Sequence, residues 1–367
     1  MKKLISPVML LAFFQLPQAL PVTPPPGRDY IPAKNVVIIT IDGFRWQEIF
    51  SGADSALISN NKFTPDTSLM KLMYWAASPF ERREKLMPFL WNVLSKKGQL
   101  FGNRTYGNKV NVANDYVLSY PGYNEIFTGM PDPEISSNRK KMNHNQNVLD
   151  YLHRQPGFDG KIAAFTSWDI FPYILQESES SFFINSGYTS VTVDKPNQAF
   201  TLINEVQKDI IIEKQATRFD QLTFLAAKEY LQQYKPRILF VGLGETDEAA
   251  HDGRYDLYLQ HANQADKMIA DLWYWVQTTP GYKDNTTFII TTDHGRGSKS
   301  NKWTSHGSFI GGSSQTWIAM AGPGILPAGE IKINEQQYQA QIAQTIAKTV
   351  GEDFGKQRTI AAEISLQ

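Results

Sequence analysis

The chain has 367 residues, with 36 Lys+Arg against 36 Asp+Glu and no cysteine. The balanced charge gives no reason to expect nucleic acid or an anionic membrane surface as a partner. The absence of cysteine excludes disulfides, thiolate zinc sites, a cysteine nucleophile and lipid attachment at an N-terminal cysteine. A chain of this length can bury a large core, and we expect one domain with insertions.

The N-terminus has the pattern of a secretory signal. Two lysines after Met1 supply a positive start, and an apolar run over 4–16 follows. The run is too short for a stable membrane anchor. We therefore expect a signal peptide over 1–20, a Pro-rich linker over 21–34, and an exported protein that is periplasmic or secreted. A buried first helix is the alternative, and the cleavage site stays open.

After the linker, apolar segments alternate with amphipathic ones. This order predicts an α/β fold with a mostly parallel sheet and helices on both faces, within a single catalytic domain over 35–367. Two stretches, 44–86 and 107–144, fit no such unit, and we expect them to be insertions that wall the site. The predicted strands are 35–42, 99–106, 161–167, 237–243, 287–292 and 316–321. The predicted helices are 87–97, 145–154, 221–234, 256–277 and 338–350.

Three of the predicted strands lead into an acidic residue. In an open parallel sheet the ligand site lies outside the carboxyl ends of the strands, so three such carboxylates converge on one point. Three histidines follow closely in the sequence and add imidazole nitrogens. Together they make six candidate ligands, enough for two divalent metals: Asp42, Asp247, His251, Asp293, His294 and His306.

The spacing of these residues separates two kinds of ligand pair. Asp247 and His251 are four residues apart, which on a helical turn places both on one face, where they can chelate one ion. Asp293 and His294 are adjacent at a strand end and point in different directions, so they suit two neighbouring metals. The simpler alternatives are a turn at Asp42 and a helix start at Asp247.

A nucleophile candidate, Ser119, lies two residues before Pro121 at the start of a predicted short helix. Free N–H groups and the positive dipole end of such a turn favour an anionic phosphoryl group. A plain N-cap serine is the alternative.

Taken together, these candidates resemble, in order, the metal and nucleophile positions of the alkaline phosphatase superfamily. The chain is most similar to the type I phosphodiesterase/nucleotide pyrophosphatase branch. There a Thr-Phe-Pro nucleophile motif is followed by Thr-Gly and then Pro. Here Ser119-Tyr-Pro leads to Thr128-Gly129 and Pro131, and the resemblance covers about residues 35–350.

The resemblance implies an alkaline phosphatase-like core that binds two zinc ions, with manganese or iron as alternatives. It implies hydrolysis of a small-molecule phosphoric ester through a covalent phosphoserine on Ser119, and we favour a phosphodiester substrate. The residues implied for one zinc are Asp42, Ser119, Asp293 and His294. Those implied for the other are Asp247, His251 and His306. The oligomeric state stays open.

Substrate-binding residues are less clearly indicated. The branch commonly holds a phosphate oxygen with an asparagine downstream of the nucleophile, and Asn138, Asn143 and Asn145 all lie near that distance. We choose Asn143. Lys299 and Lys302, in the loop between the last two histidines, could also meet phosphoryl charge, as could Arg296. Aromatic residues at 74–75 and 168 are candidates to stack a base or sugar ring, with core or lid packing as the alternative.

Other activities remain open. The sulfatase pattern Cys/Ser-x-Pro-x-Arg is broken because Tyr123 replaces the arginine, which argues against formylglycine chemistry and sulfate esters. A phosphomonoesterase or a phosphoglycerate mutase-like phosphotransferase could use the same metals. An exported, metal-stabilised binding protein is the non-enzyme alternative.

Overall fold

The computed structural model describes residues 32–177, 182–210 and 215–367. The expected signal peptide and most of the expected linker lie outside these residues. Among the helices of the described part, none is long and apolar enough to cross a membrane.

The elements are numbered here in chain order. Strands β1 to β11 are Asn35–Ile41, Gly98–Phe101, Lys109–Asn111, Ile162–Thr166, Phe183–Ser186, Ile238–Leu243, Thr286–Thr291, Gln315–Thr316, Ile318–Ala321, Gly329–Glu330 and Gln336–Tyr338. Helices α1 to α12 are Trp46–Ser51, Ser55–Ile58, Thr67–Tyr74, Pro79–Leu86, Ser119–Thr128, Val148–His153, Phe171–Ile174, Gln198–Asp209, Asp220–Tyr234, Glu245–His251, Tyr255–Thr278 and Gln341–Thr349. A π-helical turn covers Leu90–Leu94, and a 3₁₀ turn covers Arg104–Tyr106.

Eight strands form the main sheet in the order β10-β2-β9-β7-β1-β6-β4-β5. β1 pairs in parallel with β6 on one side and with β7 on the other. β4 and β5 continue the parallel order, whereas β9 pairs antiparallel with β7. A small second sheet has the order β11-β3-β8. The predicted α/β fold with a mostly parallel sheet is confirmed.

Both faces of the main sheet are covered. In β1, Val36 and Ile38 belong to one apolar cluster, while Val37, Ile39 and Ile41 belong to the other. Helices α9 and α11 contribute to the second of these clusters, and α5, α6 and α12 to the first. A strand buried on both faces is apolar throughout, which explains why its sequence is a continuous run rather than an alternating one.

Several predicted elements differ from the structure at their ends or in kind. The helix predicted over 87–97 is shorter, ends by residue 94 and contains a π-helical turn over Leu90–Leu94; the Asp266 carboxylate accepts the N–H groups of Phe89 and Leu90 near its start. The strand predicted over 99–106 ends at Phe101. The one predicted over 316–321 is divided into β8 and β9, which belong to different sheets.

The two irregular stretches contain short elements. Residues 44–86 fold into α1 to α4, and the side chains of Asp54, Asp66 and Ser78 cap the last three of these helices. The stretch 107–144 contains β3 and α5, so it carries the candidate nucleophile itself.

Candidate active site

The site lies at the carboxyl ends of the three central strands. Because β1 is flanked by β6 and β7, the residues that follow these strands meet at one edge. The candidate ligands form two groups, in each of which the ligand atoms lie within 4.8 Å of one another: Asp42, Asp293 and His294, and Asp247, His294 and His306.

The first group leaves carboxylate oxygens without partners. Asp42 Oδ1 and Asp293 Oδ2 are buried and accept no hydrogen bond from any described residue. His294 Nε2 lies 3.6 Å from the former and 3.4 Å from the latter. Buried carboxylate oxygens are costly unless a cation or a donor compensates them. These residues therefore fit a divalent cation.

Ser119 is the first residue of α5, and its Oγ lies 3.1 Å from His294 Nε2. The side chain is 4% exposed. Helix α5 comes this close to the end of β7 because residue 122 is glycine: a Cβ there would lie 2.3 Å from the Asp293 carbonyl oxygen. The nucleophile candidate is thus held beside the first group.

The second group is closed by His251 from α10. Its Nε2 lies 3.1 Å from Asp247 Oδ2 and 3.1 Å from His306 Nε2. The His294 ring is stacked on the His306 ring, with centroids 3.8 Å apart. The stacked rings of His294 and His306 therefore lie where the two groups meet. All six ligand candidates and Ser119 lie around one point.

Backbone carbonyls orient the two stacked histidines. His294 Nδ1 lies 2.8 Å from Gly295 O, and His306 Nδ1 lies 3.1 Å from Val117 O. A carbonyl only accepts, so Nδ1 carries the hydrogen and Nε2 keeps its lone pair for a metal. Burial lowers the pKa of His294 to about 4 and that of His306 to about 3, so both rings are neutral at pH 7.

The carboxylates differ in protonation. Burial, together with repulsion from neighbouring carboxylates, Asp247 among them, raises the pKa of Asp42 well above its ordinary value and that of Asp293 to about 7. Burial also acts to raise the pKa of Asp247, but the Arg296 guanidinium outweighs it and holds that pKa well below its ordinary value. Arg296 further donates to the carbonyls of Trp303 and Thr304.

These pKa values predict how metal affinity depends on pH. Since Asp293 holds a proton below about pH 7, a cation must displace that proton to bind. We expect the zinc affinity of the metal-free protein to rise steadily between about pH 5 and 8, with proton uptake by the buffer. Calorimetry in buffers of different ionisation enthalpy measures both. Asp159→Asn, an exposed change, should leave the profile intact; a pH-independent affinity would contradict the assignment of Asp293.

The site opens into a cavity of about 200 Å³. Its lining combines ligand candidates, two residues beside Asp247 and residues from three other segments: Asp42, Ser119, Asn138, Trp168, Thr217, Gly244, Asp247, Glu248, His251 and His306. Lys299 and Lys302, which the sequence suggested for phosphoryl charge, are exposed and do not line it. The loop between residues 296 and 306 turns their side chains away, while the Arg296 side chain is buried.

The structure does not bring the chosen asparagine, Asn143, to the cavity. It is 2% exposed, and its Nδ2 donates to Asn124 Oδ1 at 3.0 Å, where Asn145 also donates. Both side chains are used to hold their own loop. Asn138 lines the cavity instead, and its Oδ1 accepts the N–H of Tyr120 in the first turn of α5.

The sequence did not reveal the residues that support the ligands. The Asp220 carboxylate accepts the N–H groups of Gly244 and Glu245 at 2.8 and 3.1 Å, and so fixes the start of α10. The Tyr123 hydroxyl donates to Asp42 Oδ2 at 3.1 Å. Acidic residues such as Asp220 are common at helix starts because they interact favourably with the helix dipole. The sequence therefore did not indicate that Asp220 supports the site.

Gly43 has a larger role than a turn after β1. Its φ is +59°, and a Cβ there would lie 2.4 Å from Asp247 Oδ1. Its N–H donates to Asp293 Oδ1 at 3.0 Å. Glycine is required because the backbone passes between two ligand carboxylates in a left-handed conformation.

A model of the sulfatase family matches residues 34–351. The chain belongs to the sulfatase family. Its structural neighbours include members of the alkaline phosphatase superfamily, as the sequence resemblance led us to expect. The match does not specify the phosphodiesterase branch expected from the sequence. A search of curated proteins found no match.

Solved structures share the fold of this sulfatase-family chain. Wild-type alkaline phosphatase PafA has a TM-score of 0.58 and 11% identity, covering 88% of this chain and 96% of that one. The phosphonate monoester hydrolase SpPMH from Silicibacter pomeroyi has a TM-score of 0.57 and 13% identity, covering 90% and 75%. The lipoteichoic acid synthase LtaP from Listeria monocytogenes has 0.56 and 12%, covering 89% and 74%. At such identities the likeness shows the fold alone.

Proposed function

We propose that the protein hydrolyses phosphoric diesters with two bound zinc ions and with Ser119 as the nucleophile. The observation that carries the proposal is the Ser119 hydroxyl, held 3.1 Å from His294 Nε2 beside two buried carboxylate oxygens that lack partners. The residues proposed for one ion are Asp42, Ser119, Asp293 and His294. Those proposed for the other are Asp247, His251 and His306.

The donor set consists of oxygen and nitrogen only, which suits zinc and also accommodates manganese or iron. When bound, two such ions supply positive charge to the attacking and the leaving oxygens of the ester.

The chain's own groups account for the covalent steps. Ser119 Oγ loses its proton and bonds to phosphorus as the bond from phosphorus to the leaving alcohol breaks, and the alcohol oxygen takes a proton. This gives a phosphoserine that still carries the second ester group. Water then bonds to phosphorus as the bond from phosphorus to Ser119 Oγ breaks, Ser119 Oγ takes a proton, and a phosphomonoester leaves. Asn138, whose Oδ1 is engaged by Tyr120, has its Nδ2 left to donate to a phosphoryl oxygen.

The charge of the cavity supports a diester over a monoester. No lysine or arginine is among the described residues that line it, whereas the Glu248 carboxylate is. Arg296 is buried and forms an ion pair with Asp247, so its positive charge is already compensated by that carboxylate. A monoester dianion needs more compensating charge than a diester monoanion. Tyr123, bonded to Asp42 where a sulfatase motif has arginine, supports a phosphoric rather than a sulfate ester.

Two surfaces beside the site are available to bind the alcohol groups of the substrate. Trp168 lies at the catalytic cavity and offers a ring for stacking. On the other side, His251 also borders a second cavity of about 380 Å³ with a polar lining: Asn60, Lys62, Phe63, Asp252, Gly253, Ser300, Asn301 and Thr304. By contrast, Tyr74 lines a groove elsewhere and Trp75 packs on Arg82, so the pair at 74–75 is not at the site.

This proposal predicts an order of substrates. With zinc, kcat/KM for bis(p-nitrophenyl) phosphate should exceed that for p-nitrophenyl phosphate by at least about tenfold, since no lysine or arginine of the described residues lines the cavity. p-Nitrophenyl sulfate should not react. A faster monoester would favour the phosphomonoesterase alternative, and labelled phosphate appearing on a second alcohol would favour a phosphotransferase. Nucleotides, glycerophosphodiesters and sugar phosphates then define the leaving group.

We also propose that the protein is exported, on the basis of the signal pattern in its first 20 residues. Cell fractionation, with mass spectrometry of the N-terminus, tests this. A full-length chain that keeps Met1 and stays inside the cell would contradict it.

A further inference from the structure

Val117 has an unusual backbone conformation. Its φ is +52°, and among the described residues it is the only β-branched one with a positive φ. Such a conformation is unfavourable for a β-branched residue and persists only where the surroundings enforce it. Val117 lies two residues before Ser119, and its carbonyl oxygen is the one that His306 Nδ1 contacts at 3.1 Å. The strained residue therefore sits between the nucleophile and a metal-ligand candidate.

Asn114 enforces the conformation directly. Its Oδ1 accepts the N–H groups of Tyr116 at 3.1 Å and of Val117 at 2.7 Å. Its side-chain Nδ2 donates to Glu125 Oε1 at 2.6 Å. One amide side chain thus ties the strained turn to a carboxylate on helix α5.

Glu125 is an unusual residue to find in this place. It is 0% exposed, and its carboxylate accepts from the N–H groups of Ala113 and Asn114 as well as from the Asn114 side chain. No lysine, arginine or histidine of the described residues forms an ion pair with it. Burying a carboxylate without a cation is costly, even when several N–H groups compensate it. Its hydrogen bonds all go to the segment that leads into Val117.

We propose that Glu125 is a positioning residue for the second metal group. It lies on the same helix as Ser119, and through Asn114 and Val117 it fixes the carbonyl that orients the His306 ring. The nucleophile and the His306 ring are thereby held within one hydrogen-bonded unit. The inference rests on the proposed metal site, and its test measures zinc affinity apart from hydrolysis, so that the two can fail separately.

The test is Glu125→Gln, which keeps the shape of the side chain but replaces one carboxylate oxygen with an N–H₂ group. That group faces N–H donors and cannot accept their hydrogen bonds. We expect the folded variant to bind the second zinc about ten- to hundredfold more weakly, measured by competition with a chromophoric chelator, with the first zinc unaffected. kcat at limiting zinc should fall in parallel while KM changes little. The matched control is Glu134→Gln, an exposed carboxylate just beyond α5, which should bind both ions normally.

Rescue separates positioning from a merely structural role. In the double variant Glu125→Gln/Val117→Gly, residue 117 is a glycine, which adopts the left-handed conformation without the hydrogen bonds of Asn114 and Glu125. Most of the lost zinc affinity should therefore return. If Glu125→Gln does not fold, Asn114→Ser provides the same measurement, because it removes the donor to Glu125 and keeps a short acceptor. Wild-type affinity for both ions in either folded single variant, or no rescue by Val117→Gly, would overturn the inference.

Discussion

Ser119→Ala should lower kcat by on the order of a thousandfold or more while zinc remains bound. The variant removes the hydroxyl that lies 3.1 Å from His294 Nε2, but it leaves Asp42, Asp293 and His294 to hold the first ion. Steady-state hydrolysis of bis(p-nitrophenyl) phosphate and elemental analysis of the same sample measure the two effects. Acid quenching of the wild type with labelled substrate should leave phosphate on Ser119.

The matched control is Ser136→Ala, an exposed serine in the loop before Asn138, which should have normal turnover. If Ser119→Ala retained wild-type turnover, the serine mechanism would be wrong. A wild-type protein that binds phosphate esters and zinc but hydrolyses none would favour the metal-stabilised binding protein.

His306→Ala should reduce bound zinc from about two ions to about one, with a loss of turnover on the order of a thousandfold. The ring supplies a ligand nitrogen beside Asp247 and His251, and the neighbouring His294 is already assigned to the first ion in the proposed arrangement. Elemental analysis after dialysis measures the stoichiometry. In the wild type, a chelator should abolish activity and added zinc should restore it.

His144→Ala serves as the control, since that side chain is exposed and pairs with Asp132. It should bind two ions. A wild-type chain without bound metal after incubation with zinc would contradict the whole arrangement, and an unchanged stoichiometry in His306→Ala would remove that residue from the site.

The sequence predicted that the candidate ligands at the strand ends would lie together, because in a parallel sheet the buried strands end at one edge. Residues 36–41 form a run that is apolar except for Thr40, since both faces of β1 are covered, and the acidic residue after the run, Asp42, marks the carboxyl end of the strand. The same reasoning located Asp293. Parallel pairing of β1 with both neighbours then brought these residues together.

Residues in the loops could not be located in this way. Distance along the chain from Ser119 does not decide whether Asn138 or Asn143 lines the cavity. Asn143 does not, because its side chain donates to Asn124 and so lies in the loop interior. The direction of Arg296 is likewise decided by contacts with Asp247 and with the carbonyls of its own loop. Such choices depend on tertiary partners that no local pattern contains.

The helices of 44–86 are an intermediate case. Ser78 and Glu81 form a capping box around Pro79, a pattern that is readable in the sequence. Helices of four to eight residues are too short, however, for apolar periodicity to stand out. Their start signals were present, but nothing in the sequence indicated their packing.

The central position of β1 has a consequence for when the site comes into existence. Asp42 lies near the start of the chain and His306 near its end, and they come together only after β6 and β7 have paired on either side of β1. Such long-range pairing is a slow part of folding. A chain that is synthesised or exported N-terminus first therefore cannot assemble either group of candidate ligands until most of its residues are available to fold. The proposed metals can therefore be held by both groups only once the central strands have paired, in whichever compartment that happens.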